Sequence, residues 1–206
     1  MHVTNIDKTA GAVVSGVHLQ TLSEAEFVEL HVLFLERGFL VIKDSAMSAA
    51  EQGVFGERFG VLEFAGAPMS NAKKDGEIVD VNTQQMRTNI GNEMWHTDST
   101  YKPASSKVAM LTARVLPASG GGQTGLVDMR AAYERLDSAT QGQISNLSAY
   151  HSTQFSQAND MGDCESTLHP HQPWSAETSV TDCLCFQFRR RTRRRSTTAT
   201  VICGSS

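Results

Sequence analysis

The chain has 206 residues, 40% of them hydrophobic and 19% charged, the proportions of a globular chain with enough apolar material for one substantial core. No apolar run approaches the roughly 20 residues of a membrane span, the N-terminus lacks the basic-then-apolar form of a signal peptide, and no cysteine precedes Cys164; membrane and disulfide-scaffold classes are set aside, and a reducing cytoplasm is the expected compartment. The net charge of −4 is uneven, because residues 1–173 carry 12 Lys/Arg against 20 Asp/Glu while residues 174–206 carry six arginines against two acids, a shift that marks a boundary.

In chain order, residues 13–17 read as a short strand, with Gly11 and Gly16 allowing turns. Ser23 followed by Glu26 forms a capping box, and Phe27, Leu30 and Phe34 recur at helical spacing until Gly38 stops the helix. His31 lies beside that stripe and reads as a satisfied, partly buried residue. Phe39 to Ile42 is an apolar run of the kind found in buried strands. Ser48 and Glu51 repeat the capping box, predicting a second helix through Phe59 with Gly60 as its stop. Residues 65–76 read as a loop and residues 78–81 as a short strand. A long strand is predicted from Val108 to Leu116, then a turn at Gly120-Gly121-Gly122, a strand from Gly125 to Met129 and helical structure over 131–136 and 138–147. A phosphate cradle would need a helix directly after the glycines; a strand is expected there instead. From His151 onward the chain reads as irregular.

The chemistry centres on residues 89–100, which contain Trp95-His96-Thr97-Asp98-Ser99-Thr100. On extended backbone, side chains two apart share a face, so the His96 imidazole and the Asp98 carboxylate could reach one divalent ion. With a second histidine they would form a 2-His-1-carboxylate triad, which leaves metal positions open. The order WHTD, strand, Leu116-Pro117-Ala118-Ser119-Gly120-Gly121, Thr124, strand, Asp128-Met129-Arg130-Ala131-Ala132-Tyr133 resembles the Fe(II)/2-oxoglutarate dioxygenases of the taurine dioxygenase and 2,4-dichlorophenoxyacetate dioxygenase family, over residues 3–163. That resemblance implies a mainly β fold with flanking helices, a double-stranded β-helix or jelly roll. It implies Fe(II) on His96 and Asp98, 2-oxoglutarate bound with the help of Thr124, substrate contacted by Asn92, and O₂ as oxidant. The motifs lean toward the branch that cleaves aryloxyalkanoates, with hydroxylation beside the ether oxygen of a small organic acid. Glu63-Phe64-Ala65-Gly66-Ala67 stands where taurine dioxygenases carry a His and a Tyr, which argues against a sulfonate substrate.

The tail departs from the pattern. The family's third ligand, a histidine, and its 2-oxoglutarate-binding arginine follow a His-Pro-hydrophobic-Val-Arg segment, but here Leu168-His169-Pro170-His171-Gln172-Pro173 runs into Trp174-Ser175-Ala176-Glu177. The expectation is therefore a domain over 1–173 lacking its last strands, and an atypical Arg/Ser/Cys-rich tail over 174–206, largely irregular, with residues 183–188 its one plausible strand. A reading-frame change near Pro173 is one explanation: Pro173 to Glu177 can be encoded as CCC-TGG-TCC-GCC-GAA, and that choice of codons, read from the last base of the first, gives Leu-Val-Arg-Arg. His169 and His171 are the later histidines available as a substitute third ligand. Arg189 to Arg195 could alternatively be a phosphate-binding arm, although no aromatic residues interleave for base stacking. Cys183 and Cys185 have poor spacing for structural zinc. The rival to an enzyme is a non-catalytic remnant with a partial barrel, stabilised by self-association.

Overall fold

The computed structural model describes residues 1–63, 73, 77–80, 82–83, 86, 96–99, 102, 106–113, 123–151, 176–179, 187–191 and 199–204, with side chains described up to residue 147. It combines strands and helices. A five-stranded sheet runs in the order β1 (His2–Asn5), β2 (Ala12–Ser15), β3 (Phe39–Lys43), β9 (Ala199–Gly204) and β4 (Val108–Thr112). Two ribbons accompany it, β5 (Gln123–Val127) with β8 (Gln187–Arg191) and β6 (Ser148–His151) with β7 (Ala176–Ser179). Strands β2 and β3 are parallel, and helix α1 (Glu24–Arg37) makes the crossover that such a pair requires. Among the described residues, no helix is long and apolar enough to cross a membrane.

Local sequence signals explain this first layer. Ser23 accepts from the Glu26 N–H while the Glu26 carboxylate accepts from the Ser23 N–H at 2.8 Å, closing the capping box of α1. Gly38 ends the helix in the left-handed conformation at φ 73°, its N–H bonded to the Phe34 carbonyl. Helix α2 (Ala49–Gly56) starts with the same box from Ser48 and Glu51, then tightens into a 3₁₀ turn over Glu57–Phe59.

Phe27, Leu30 and Phe34 on α1 pack with Ala12, Val14, Leu40, Ile42, Met47 and Phe55 into one core, each large aliphatic or aromatic side chain contributing about 1.5–3 kcal/mol on burial. His31 stacks 5.7 Å from Phe27 and lies edge-on to Phe59 at 5.5 Å. Arg58 lies 4.0 Å over the Phe27 ring and pairs with Glu24, tying the end of α2 to the start of α1. Strand β3 is covered on both faces, Leu40 and Ile42 facing this core while Phe39 joins Ala10, Val41 and Leu126 on the other side. That two-sided cover is why its sequence is apolar without alternation. Gly11 lies so close to Phe39 that an added Cβ would sit 2.3 Å from the ring, and its φ of +77° disfavours any side chain.

Several expected elements differ. Of the strand expected at 78–81, the described residues 78–80 form only an isolated bridge at Ile78, because Asp80 opens a turn: its carboxylate accepts from the Asn82 N–H at 2.7 Å and its carbonyl from the Thr83 N–H at 3.0 Å. The strand expected at 125–129 is shifted to Gln123–Val127, since Asp128 caps helix α3 (Met129–Glu134) by accepting from the Arg130 and Ala131 N–H groups. Helix α4 (Ser138–Ile144) is capped by Asp137 in the same way. His151, expected to begin irregular chain, is the last residue of β6.

The largest difference concerns residues 174–206, expected to be largely irregular with residues 183–188 as the one plausible strand: the described residues there form three strands, at 176–179, 187–191 and 199–204, and the rest of the segment lies outside the described residues. Strand β9 pairs antiparallel with both β3 and β4, Val201 standing opposite Val41 and Leu111. Its Thr200-Val201-Ile202 run is β-branched and suits a strand, and backbone pairing satisfies the open edges of β3 and β4 whatever the side chains are. The turn at Gly120–Gly122 and the end of the predicted 108–116 strand lie outside the described residues.

Candidate functional site

Two of the expected site residues come together. The His96 Nε2 and an Asp98 oxygen lie 3.3 Å apart, the histidine side chain 34% and the carboxylate 50% exposed. Ligands on adjacent corners of an ion with bonds of about 2.0–2.2 Å stand about 3 Å apart, so the spacing fits a shared divalent cation. The pairing does not arise from strand alternation as expected. Asp98 and Ser99 form a turn, and Ser99 occupies the left-handed region at φ 58°. The Lys102 N–H closes the next turn on the Ser99 carbonyl at 3.0 Å.

A side chain distant in sequence secures that turn. Glu63, 36 residues earlier, accepts the Ser99 hydroxyl at 2.7 Å. The Lys102 ammonium reaches the same carboxylate oxygen, and the Ser106 hydroxyl reaches the other. The Ser106 and Ser99 hydroxyl oxygens also lie 3.1 Å apart, so the single Ser106 proton has the Ser99 oxygen as its alternative acceptor. Burial pushes the Glu63 carboxyl upward, but the combined hydrogen bonds from Lys102, Ser106 and Ser99 and the Lys102 charge hold it below the ordinary carboxylate value. Sequence reasoning missed Glu63, Lys102 and Ser106 as parts of the site. No spacing rule links a glutamate to a turn 36 residues away, and the only local hint was a serine directly after Asp98.

Thr124 stands at an exposed position on β5, opposite Arg190 of β8 in the antiparallel register. Among the described residues no hydrogen bond joins it to the His96–Asp98 pair, and no third His, Cys, Asp or Glu completes a metal-binding group with that pair. Asn92, Trp95, His169 and His171 lie outside the described residues.

Comparison with known proteins adds the chemical context. A family model described as "Taurine catabolism dioxygenase TauD, TfdA family" matches residues 2–200, well past residue 163, where the sequence motifs end. The chain is 42% identical over 158 residues to an (S)-phenoxypropionate/alpha-ketoglutarate-dioxygenase of Sphingobium herbicidovorans, an alignment covering 76% of this chain and 55% of that protein. It is 31% identical over 147 residues to an alpha-ketoglutarate-dependent 2,4-dichlorophenoxyacetate dioxygenase of Cupriavidus pinatubonensis, covering 64% and 51% respectively. The chain thus spans about half the length of these relatives. The fold is similar to that of AAD-2, crystallised with Mn(II) and N-oxalylglycine, at a TM-score of 0.83 and 23% identity over 99% of this chain and 87% of that one.

Proposed function

The chain belongs to the taurine catabolism dioxygenase TauD, TfdA family, and on that premise we propose that it is a 2-oxoglutarate-dependent dioxygenase acting on a small aryloxyalkanoate acid. The observation that carries the reading is the 3.3 Å approach of His96 Nε2 to the Asp98 carboxylate, a separation suited to two adjacent ligands of one ion. The relatives named for phenoxypropionate and 2,4-dichlorophenoxyacetate support the substrate class, and the family's architecture supports a jelly roll for the sheet and ribbons.

In this reading His96 and Asp98 hold Fe(II), the histidine through Nε2 as a neutral donor and the aspartate as an anion that offsets part of the cation's charge. Bound there, the iron supplies the redox chemistry that couples decarboxylation of 2-oxoglutarate, with O₂, to hydroxylation of a substrate C–H bond. Thr124 donates its hydroxyl to the co-substrate carboxylate, and Asn92 contacts the organic acid. Hydroxylation at the carbon beside the ether oxygen gives a hemiacetal that collapses to a phenol and a carbonyl acid. The protein's part is to orient these groups toward the ion.

We also propose that the boundary at residue 173 is one of reading frame rather than of fold. The composition changes there, while strands on both sides pair with each other. Sequencing the gene tests this: an open shifted frame encoding Leu-Val-Arg-Arg is expected, and its absence sinks the idea.

The decisive assay for activity is succinate formation from 2-oxoglutarate with added Fe(II) and a phenoxyalkanoate, followed together with phenol release. Turnover that disappears in His96→Ala is the expected result. No succinate from the intact, folded chain would instead favour the non-catalytic remnant, in which the family scaffold persists without a complete ligand set.

A further inference from the structure

We propose that Glu63 is a positioning residue for the His96–Asp98 pair, acting through Ser99 rather than on the ion itself. The inference rests on the metal-binding reading of that pair.

The backbone supplies the motive. Ser99 is a non-glycine residue at φ 58°, a conformation that L side chains adopt only when their surroundings hold them there. It is buried, with 8% of its surface exposed. Its carbonyl is engaged by the Lys102 N–H and its hydroxyl by the Glu63 carboxylate at 2.7 Å. Glu63 therefore gathers three points of the segment that follows Asp98, namely Ser99, Lys102 and Ser106. Asp98 precedes Ser99 directly, so a change in the Ser99 φ swings the carboxylate of Asp98 relative to the imbedded turn and alters its 3.3 Å approach to His96.

The chemistry of the anchor matters as well as its place. A carboxylate only accepts hydrogen bonds, through two oxygens, and Glu63 faces two hydroxyls and an ammonium, all able to donate. A carboxamide of the same shape would turn an NH₂ toward one of these donors and lose the charge partner of Lys102. Glu63→Gln is thus a substantial perturbation of the turn while leaving the apolar core of α1 and β3 untouched.

Co(II) binding to the full-length chain, followed by visible absorption without any turnover, provides the test. His96→Ala is expected to abolish the Co(II) spectrum, and Glu63→Gln to weaken Co(II) affinity about tenfold, as for residues that orient metal ligands. Ser99→Ala, which removes the hydroxyl donated to Glu63, should weaken it in the same direction. Combining the two changes should cost no more than the larger alone, since both break one tie. Ser99→Gly in the Glu63→Gln background should recover part of the affinity, because glycine takes positive φ without support; a loss of fold stability alone would show no such rescue. Unchanged Co(II) affinity in Glu63→Gln and Ser99→Ala, with binding lost in His96→Ala, overturns the inference and leaves the metal reading standing. Unchanged binding in His96→Ala overturns both.

Discussion

The α1–β3 core and the His96–Asp98 turn are held by different forces. The core is a set of apolar side chains spaced three, four and two residues apart, bounded by capping boxes that form within four residues of chain. The turn is secured by a carboxylate contributed from far upstream. A helix can therefore be damaged locally and lose stability in proportion, whereas the site can lose its geometry through one remote polar group with the scaffold intact.

Substitution in the core is the strongest way to sharpen that contrast. Leu40 is fully buried in β3, and Leu40→Ala should destabilise the chain by about 2–5 kcal/mol, read by urea denaturation. Co(II) affinity per folded molecule should stay unchanged at low denaturant; a loss matching that of His96→Ala would show the two regions to be one unit. Thr124→Ala tests the site side. Removing a hydrogen bond to a charged co-substrate should weaken 2-oxoglutarate binding by roughly 1.5–3 kcal/mol, measured by calorimetry on the metal-loaded chain. Equal affinity in both forms would remove Thr124 from the site.

Smaller effects come from the caps and from pH. Ser23→Ala deletes the side-chain cap of α1 and should cost about 1 kcal/mol, again with no change in metal affinity. The acid limb should separate the regions most finely. Glu63 is depressed in the folded chain, so its contribution is present above the ordinary carboxylate value and is lost as pH falls through its lowered one. Wild-type stability should accordingly decline more steeply on acidification than that of Glu63→Gln. Parallel acid profiles for the two forms would mean the carboxylate adds nothing to the turn.

Much of the scaffold was legible because its signals are local. Ser23 with Glu26 and Ser48 with Glu51 announce helix starts within one turn, Gly38 announces a stop, and Phe39–Ile42 announces a strand covered on both faces. Where local chemistry competed, the reading slipped: Asp80 drew its backbone into a turn and Asp128 became a helix cap, each ending a predicted strand. The strands at 176–179 and 199–204 went unread for a different reason. Composition judges side chains, while the place of β9 between β3 and β4 is set by backbone groups that need partners.

What the amino-acid sequence determined by itself was the family, through several motifs in a fixed order, and the identity of His96 and Asp98 as the candidate ligands. What only the tertiary structure decided was how those two meet. Their approach depends on Ser99 in a left-handed turn, held by Glu63 from a separate segment. No periodicity of helix or strand encodes a contact between residues so far apart in the chain, because periodicity reports which neighbours share a face, and this tie is made across the fold.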